Sequence, residues 1–173
     1  PKGYAEKFVR EGSVIKFRSG PWTGVHFQFS GTPQLNTSPI YTYSLVSEPD
    51  EIYYSYKLHN NSILSRVVLT SDGIVRRYTW IDRTKGWLLQ LIAQIDNCDN
   101  YALCGVYGAC NIEKAPVCSC LKGFKPKFPK EWDLVDWSNG CVRNAPLNCS
   151  GDVFKQYSGI KLPSTEQSWH NIS

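Results

Sequence analysis

Seven cysteines are the residues with most capacity for chemistry, and four of them fall within "LCGVYGACNIEKAPVCSCLKGF" at 103–124. Such a cluster can hold a metal, run a redox cycle or form disulfides. The first six, Cys98, Cys104, Cys110, Cys118, Cys120 and Cys141, are separated by five, five, seven, one and twenty residues. A structural zinc site wants two close pairs with two to four residues inside each. Here the close pair Cys118-Ser-Cys120 holds a single residue, and no histidine lies between 60 and 169. Thioredoxin-type redox chemistry wants two intervening residues in an α/β setting, and neither condition is met. No metal or other cofactor is expected, and the six read as disulfide staples, although spacing alone does not choose among their pairings. Cys149 makes the count odd, which a reactive free thiol, a bridge to another chain or a chain cut inside a disulfide-bonded domain would each explain, and the cut is the expectation.

Other catalytic groups find no frame. His26, His59 and His170 are far apart, and the chain has no Gly-x-Ser-x-Gly elbow, zinc-protease helix or phosphate-cradling glycine loop. No catalytic residue is assigned, and the segment is read as non-enzymatic.

The elements that must position these cysteines divide in two. The first 97 residues contain no cysteine, so that part must bury its own core, whereas the cysteine-rich part is small enough to need crosslinks. Apolar residues make up 42%, aromatics 13% and charged residues 20% of the 173, the balance of a folded chain. "EIYYSYK" alternates Ile52, Tyr54 and Tyr56 with Glu51, Tyr53 and Ser55, the two-residue period of a half-buried strand. "SRVVLTSDGIVRRYTWI" sets two β-branched runs around Ser71-Asp72-Gly73, and a second turn at 82–86 leads into "WLLQLIAQ", which predicts a three-stranded meander. Gly12-Ser13 separates "EKFVR" from "VIKFRS" in the same manner. Residues 1–95 are therefore expected to be all-β.

From 96 onward glycine, proline and cysteine dominate, the texture of a crosslinked loop-rich module. The tail beyond Cys141 is polar and too short for a core, and reads as the opening of another domain in an excerpt from a longer product. The longest apolar stretch, at 87–95, is interrupted by two glutamines and falls far short of the roughly 20 residues a spanning helix needs, so no membrane insertion is expected. A net charge of +4 raises the question of nucleic acid. The densest basic run, Lys122, Lys125, Lys127 and Lys130, is offset by Asp99, Glu113, Glu131, Asp133 and Asp136, so a solvated loop is expected and no nucleic-acid partner.

Cys118-Ser-Cys120-Leu-Lys-Gly123-Phe124 resembles the epidermal-growth-factor-like fold. That resemblance implies pairing of first to third, second to fourth and fifth to sixth cysteine: Cys98 with Cys110, Cys104 with Cys118, Cys120 with Cys141. The twenty-residue last loop is longer than that family usually has. Each closure contributes about 3 kcal/mol in the chain-entropy model. Calcium-binding members carry acidic residues just before the first cysteine, whereas this chain has Gln94, Asp96 and Asn97, a poor oxygen set for a hard cation.

Four longer stretches extend the likeness: "REGSVIKFRSGPWTG" at 10–24, "NNSILSRVVLTSDGIVRRYTW" at 60–80, "CDNYALCGVYGACN" at 98–111, and "CSCLKGFKPK" through "DWSNGCVRNAPLNCS" to 150. Together they resemble the plant S-locus glycoprotein family and the extracellular part of S-domain receptor-like serine/threonine kinases. The resemblance implies a mainly β architecture: a lectin-like S-locus glycoprotein domain at 1–95, an epidermal-growth-factor-like module at 96–141, and the incomplete start of a PAN/apple domain at 142–173. In that domain Cys149 would pair downstream. The implied role is recognition of a protein or peptide ligand outside the cell, in self-incompatibility members a small cysteine-rich pollen protein, with receptor homodimers or a co-receptor as partners. A secreted glycoprotein without a kinase is the alternative. The mannose register of bulb lectins is kept only at Gln34 of Gln34, Asn36, Ser38, Ile40 and Thr42, so sugar binding there is not expected. Asn36, Asn60, Asn148 and Asn171 head Asn-x-Ser/Thr sequons and are the candidate N-glycosylation sites.

Overall fold

Alternation of β-branched and aromatic residues with polar ones makes the first half of the chain a series of antiparallel ribbons. The computed structural model describes residues 4–24, 29–30, 39–48, 50–94, 96–148, 150–151 and 153–165. The chain divides into two units, residues 1–93 with 158–173, and residues 94–157. The tail past 141, read from sequence as one segment, is thus shared between them.

In the first unit β1 (Glu6–Glu11) pairs with β2 (Val14–Pro21), and β3 (Tyr41–Ser47) with β4 (Ile52–Leu58). Strands β5 (Ser65–Leu69), β6 (Val75–Ile81) and β7 (Gly86–Ile92) form the meander that the sequence predicts. Strand β3, "YTYSLVS", is the one that sequence reading does not place. Its Tyr41, Tyr43 and Leu45 face the same way as Tyr54 and Tyr56 of β4, because Tyr43 lies opposite Tyr56 and Leu45 opposite Tyr54.

A row of rings runs through this unit. Trp22 meets Phe29 edge to face at 5.1 Å, Phe29 meets Tyr54 at 5.6 Å, Tyr54 stacks on Tyr43 at 6.0 Å, and Tyr43, Tyr41 and Tyr56 continue it at 6.0 and 5.7 Å. Two cations lie on the row. The Lys7 ammonium sits 4.3 Å from the Phe29 centroid and 4.2 Å from that of Tyr54. The Arg77 guanidinium, from the middle of β6, lies 4.5, 5.3 and 4.6 Å from Tyr41, Tyr43 and Tyr56, and its Nη1 donates to the Tyr43 hydroxyl. The buried Tyr41 hydroxyl is shared with Ser65 of β5 at 3.1 Å and Thr79 of β6 at 3.3 Å. The β3–β4 hairpin is thereby tied to the meander by polar atoms set among aromatic faces.

Among the described residues of this unit, the buried apolar side chains are few: Val9, Phe17, Pro21, Phe29 and Tyr41. Beside them Glu6 and Arg18 form an ion pair at 2.9 Å, with side chains 3% and 16% exposed. Arg18 also donates to the Leu162 carbonyl at 2.7 Å, the Tyr4 amide donates to the Thr165 hydroxyl, and the Leu162 amide to the Ser30 hydroxyl. Residues 158–165 therefore close over the β1–β2 ribbon.

The turn joining β5 to β6 is locked by charge. Asp72 accepts from both guanidinium nitrogens of Arg76 at 2.9 and 2.7 Å, from the Thr70 hydroxyl and from the Ile74 amide. Of the turn residues named from sequence, Gly73 takes the positive φ, at 78°.

The second unit has little apolar core. Its ribbons are β8 (Gly108–Cys110) with β9 (Cys118–Cys120), and β10 (Phe124–Pro126) with β11 (Cys141–Arg143). Between β10 and β11 a five-residue helix, α1 (Pro129–Asp133), begins on a proline, which is suited to the first helical position because its missing N–H would be unpaired there anyway. The two halves touch backbone to backbone at Gly105 and Gly140, both with φ of 64°. A Cβ on Gly140 would lie 2.5 Å from the Val106 amide nitrogen and carbonyl oxygen.

Three outcomes follow. Arg77→Lys keeps the charge but loses the planar stack on three rings; denaturant unfolding should show a loss of about 2 kcal/mol. The bonds from Arg76 and Thr70 hold the Asp72 carboxyl well below the usual carboxylate range. The folded value being depressed, its stabilisation is present above the unfolded value of 3.8 and is lost as the pH falls through the folded one; Asp72→Asn should lower the melting temperature at neutral pH and flatten its dependence below pH 3.8. Gly140→Ala should prevent the second unit from closing, read as scrambled disulfides in peptide mass mapping, whereas Gly159→Ala, where a Cβ meets nothing within 4 Å, should leave the pairing intact.

Candidate functional site

The chemistry-bearing residues named from sequence fall into three groups. The cysteines come together in the second unit, where Cys98 is bonded to Cys110, Cys104 to Cys118 and Cys120 to Cys141, with Cα separations of 5.5, 5.4 and 5.8 Å. The sulfurs of Cys104, Cys110 and Cys118 lie within 4.8 Å of one another. All three are spent in disulfides, so the cluster presents no thiolate, the form that binds metal or attacks. Asp96 caps the 3-10 turn at Asn97–Asp99, accepting from the Cys98 amide at 2.7 Å. Cys149 lies outside the described residues.

The histidines do not assemble. His59 spends both ring nitrogens locally, Nε2 with the Thr42 hydroxyl at 2.5 Å and Nδ1 with the Pro39 carbonyl at 3.1 Å, so Thr42, from the mannose register, bonds a ring of its own chain. His26 and His170 lie outside the described residues, as do Gln34, Asn36 and Ser38 of that register.

The sequons share a local geometry. Asn60 Oδ1 accepts from the Ser62 amide at 2.9 Å and hydroxyl at 2.8 Å. Asn148 Oδ1 accepts from the Ser150 amide at 3.3 Å and hydroxyl at 2.7 Å. Both asparagines are exposed, on turns that their own side chains stabilise. Asn36 and Asn171 lie outside the described residues.

Two features escape the motifs. One is the tip of the loop closed by the Cys120–Cys141 bond, where Leu134 is 78% and Val135 65% exposed, and Val135, a β-branched residue, has a φ of 61°, an outlier for that side chain. Around the tip, Asp136 accepts from the amide and hydroxyl of Ser138, which holds its carboxyl below the ordinary value, Glu131 accepts from Asn139, and Trp132 meets Trp137 edge to face. The tip thus sets an exposed apolar pair beside two carboxylates. The hydrophobic alternation that would flag a strand or helix is absent here, and only the run Leu134-Val135 inside an otherwise charged loop hints at it. The other feature is the pair Lys7 and Arg77 on the ring row, two cations whose aromatic partners lie on other strands.

Comparison with known proteins supplies a family. A family model described as the S-locus glycoprotein domain matches residues 17–128. The chain is 38% identical to Receptor-like serine/threonine-protein kinase SD1-8 of Arabidopsis thaliana over 165 residues, which are 95% of this chain and 19% of that protein. It is 37% identical to S-locus-specific glycoprotein S6 of Brassica oleracea over 161 residues, 92% of this chain and 36% of that protein. A G-type lectin S-receptor-like serine/threonine-protein kinase of Arabidopsis thaliana is 35% identical over 160 residues, again 19% of its length. The chain thus spans about a fifth of the kinases and about a third of the glycoprotein it matches. With a β-rich unit followed by a unit closed by three disulfides, and a family model covering most of both, this chain belongs to the S-locus glycoprotein domain family.

Proposed function

We propose that this chain is a non-catalytic recognition segment in the extracellular region of an S-domain receptor-like serine/threonine kinase. The observation that carries the reading is the match of nine tenths or more of the chain to proteins named as receptor-like kinases, in a segment amounting to about a fifth of each. Three disulfides suit an oxidising compartment, and among the described residues no helix is long and apolar enough to cross a membrane. The partner is a protein or peptide, with the small cysteine-rich pollen protein of self-incompatibility members as the first candidate. Recognition drives pairing of the receptor with itself or with a co-receptor. Glycans sit on Asn60 and Asn148, whose exposed turns suit them, and Asn36 and Asn171 remain candidate sites by sequence. Cys149 lies in the PAN/apple domain that opens at 142 and pairs with a cysteine further along that domain.

The same match includes a protein named as a glycoprotein, which supports the second reading, a secreted binder without a kinase. The experiment that separates them starts from the complete transcript. A span followed by kinase motifs places the segment in a receptor, and a stop codon after the PAN domain selects the second reading. In cells carrying that receptor, exchanging residues 1–173 for the matching segment of a relative should transfer the response to the relative's ligand, read as kinase autophosphorylation. A response that follows the flanking domains instead removes recognition from this segment.

A further inference from the structure

We propose that Lys7 is a nucleophilic lysine, and that the cavity beside it is a covalent docking site for a small aldehyde with an apolar body, held as an imine. The site lies in the first unit, apart from the disulfide-bonded module and the loop tip, and stands independently of the receptor reading.

The cavity is about 90 Å³ and is lined by Ala5, Glu6, Lys7, Phe29, Leu45, Ile52 and Tyr54. That leaves room for several water-sized groups, or for a short carbon chain. Its wall mixes apolar side chains with polar surface, and its two charged members are differently employed. Glu6 gives Oε1 to Arg18, and Oε2 is sealed from solvent. Lys7 is exposed, and its ammonium meets the faces of Phe29 and Tyr54; among the described residues it has no carboxylate or other acceptor. The side chain is thus exposed over part of its surface while its amine rests on ring faces with no carboxylate beside it.

The local build puts it there. β1 and β2 slip register between Glu6 and Phe8, two residues of β2, Ser19 and Gly20, standing opposite Lys7. Gly20 has a φ of 73°, and the Lys7 amide bonds the Ser19 hydroxyl instead of a ladder carbonyl. Such bulges re-aim side chains.

The charged and titratable groups around the amine are Glu6 on β1, Arg18 on β2, Tyr43 and Tyr54 on the β3–β4 hairpin, and Arg77 on β6. Loss of water around the ammonium, with repulsion from Arg77 second, lowers the Lys7 pKa to about 8. Desolvation beside another cation is the environment that activates lysine toward carbonyls. Tyr54, pushed by burial to about 12, stays protonated through the range in which Lys7 titrates. The chemistry balances without a redox partner. Neutral Nζ attacks the carbonyl carbon, a C–N bond forms and the oxygen takes a proton. Loss of that oxygen as water, with both amine protons accounted for, leaves the C=N bond.

The test uses the whole chain, propanal as the probe and cyanoborohydride to reduce the imine, with peptide mass mapping at a series of pH values. Lys57 and Lys114, both exposed, are internal references. Lys7 should label at least about tenfold faster than either near pH 8, allowing for the lower nucleophilicity of a less basic amine, with its rate levelling off above that pH. Equal rates at all three lysines would overturn the proposal. Ile52→Trp, which fills the cavity from an exposed position, should slow propanal at Lys7 and leave formaldehyde labelling there unchanged. Propanal labelling that ignores the tryptophan would remove the cavity from the site, and equal loss with both aldehydes would show that Lys7 itself had been displaced.

Discussion

A guanidinium laid across three tyrosines is the contact through which the first unit's ribbons become one body. Two-stranded ribbons are marginal by themselves, since they bury too little surface to offset the entropy of ordering. Arg77 reaches from the central strand of the meander onto Tyr41, Tyr43 and Tyr56, all on the β3–β4 hairpin. Each such contact is worth from about 0.5 to 2 kcal/mol, rising as water is excluded. With fully buried apolar side chains so few, these contacts weigh more than they would beside a large aliphatic core. The second cation extends the same device to the first ribbon: Lys7 of β1 rests on Tyr54 of β4 and on Phe29. Aromatic faces tolerate a cation at their surface where aliphatic side chains would not, so the unit can be held together without being dry.

The second unit solves the same deficit by covalent means. Among its described residues the buried apolar ones are Cys104, Cys118 and Cys141, so the crosslinks are themselves the core. Each closes a loop of twelve to twenty-one residues, which removes conformations from the unfolded chain without needing packed side chains in the folded one. The space left inside is small enough that Gly105 and Gly140 must bring backbone against backbone. Many bulky side chains are left at the surface, Leu134 and Val135 among the most exposed.

Much of this was legible in the sequence, and the reasons differ by region. The meander announced itself because a two-residue period flanks turns whose residues have local meaning: Gly73 carries the positive φ and Asp72 is held by the very next strand through Arg76. The likeness to S-locus glycoproteins rested on runs such as "CDNYALCGVYGACN", dense in residues with geometric duties. Strand β3 was missed because tyrosines, serines and a threonine give a weak apolar alternation; its strand character comes from β4 opposite, a tertiary cause. The cation positions were invisible for a related reason. Nothing within a few residues of Lys7 or Arg77 marks them, since their partners are rings forty-seven and thirty-four residues away, at Tyr54 and Tyr43. Helix α1 hung on a single proline at its start, and its five residues are too few for a period to show.

The two constructions also divide the work of presenting a surface. A sheet held by cation–ring contacts keeps its amine at the surface of a cavity, reversible in charge and open to solvent. A module held by disulfides can carry local strain: Val135 occupies the left-handed region, a conformation that costs about 1 kcal/mol or more for a β-branched side chain, and it persists because the Cys120–Cys141 bond and the Asp136, Asn139 and Trp137 contacts around it fix the loop. A strained apolar tip is tolerable only on a base that cannot relax. Aliphatic packing of the size this module affords would let the loop turn Leu134 and Val135 inward at the first opportunity, so the staples that replace a core are also what keeps the tip in the solvent.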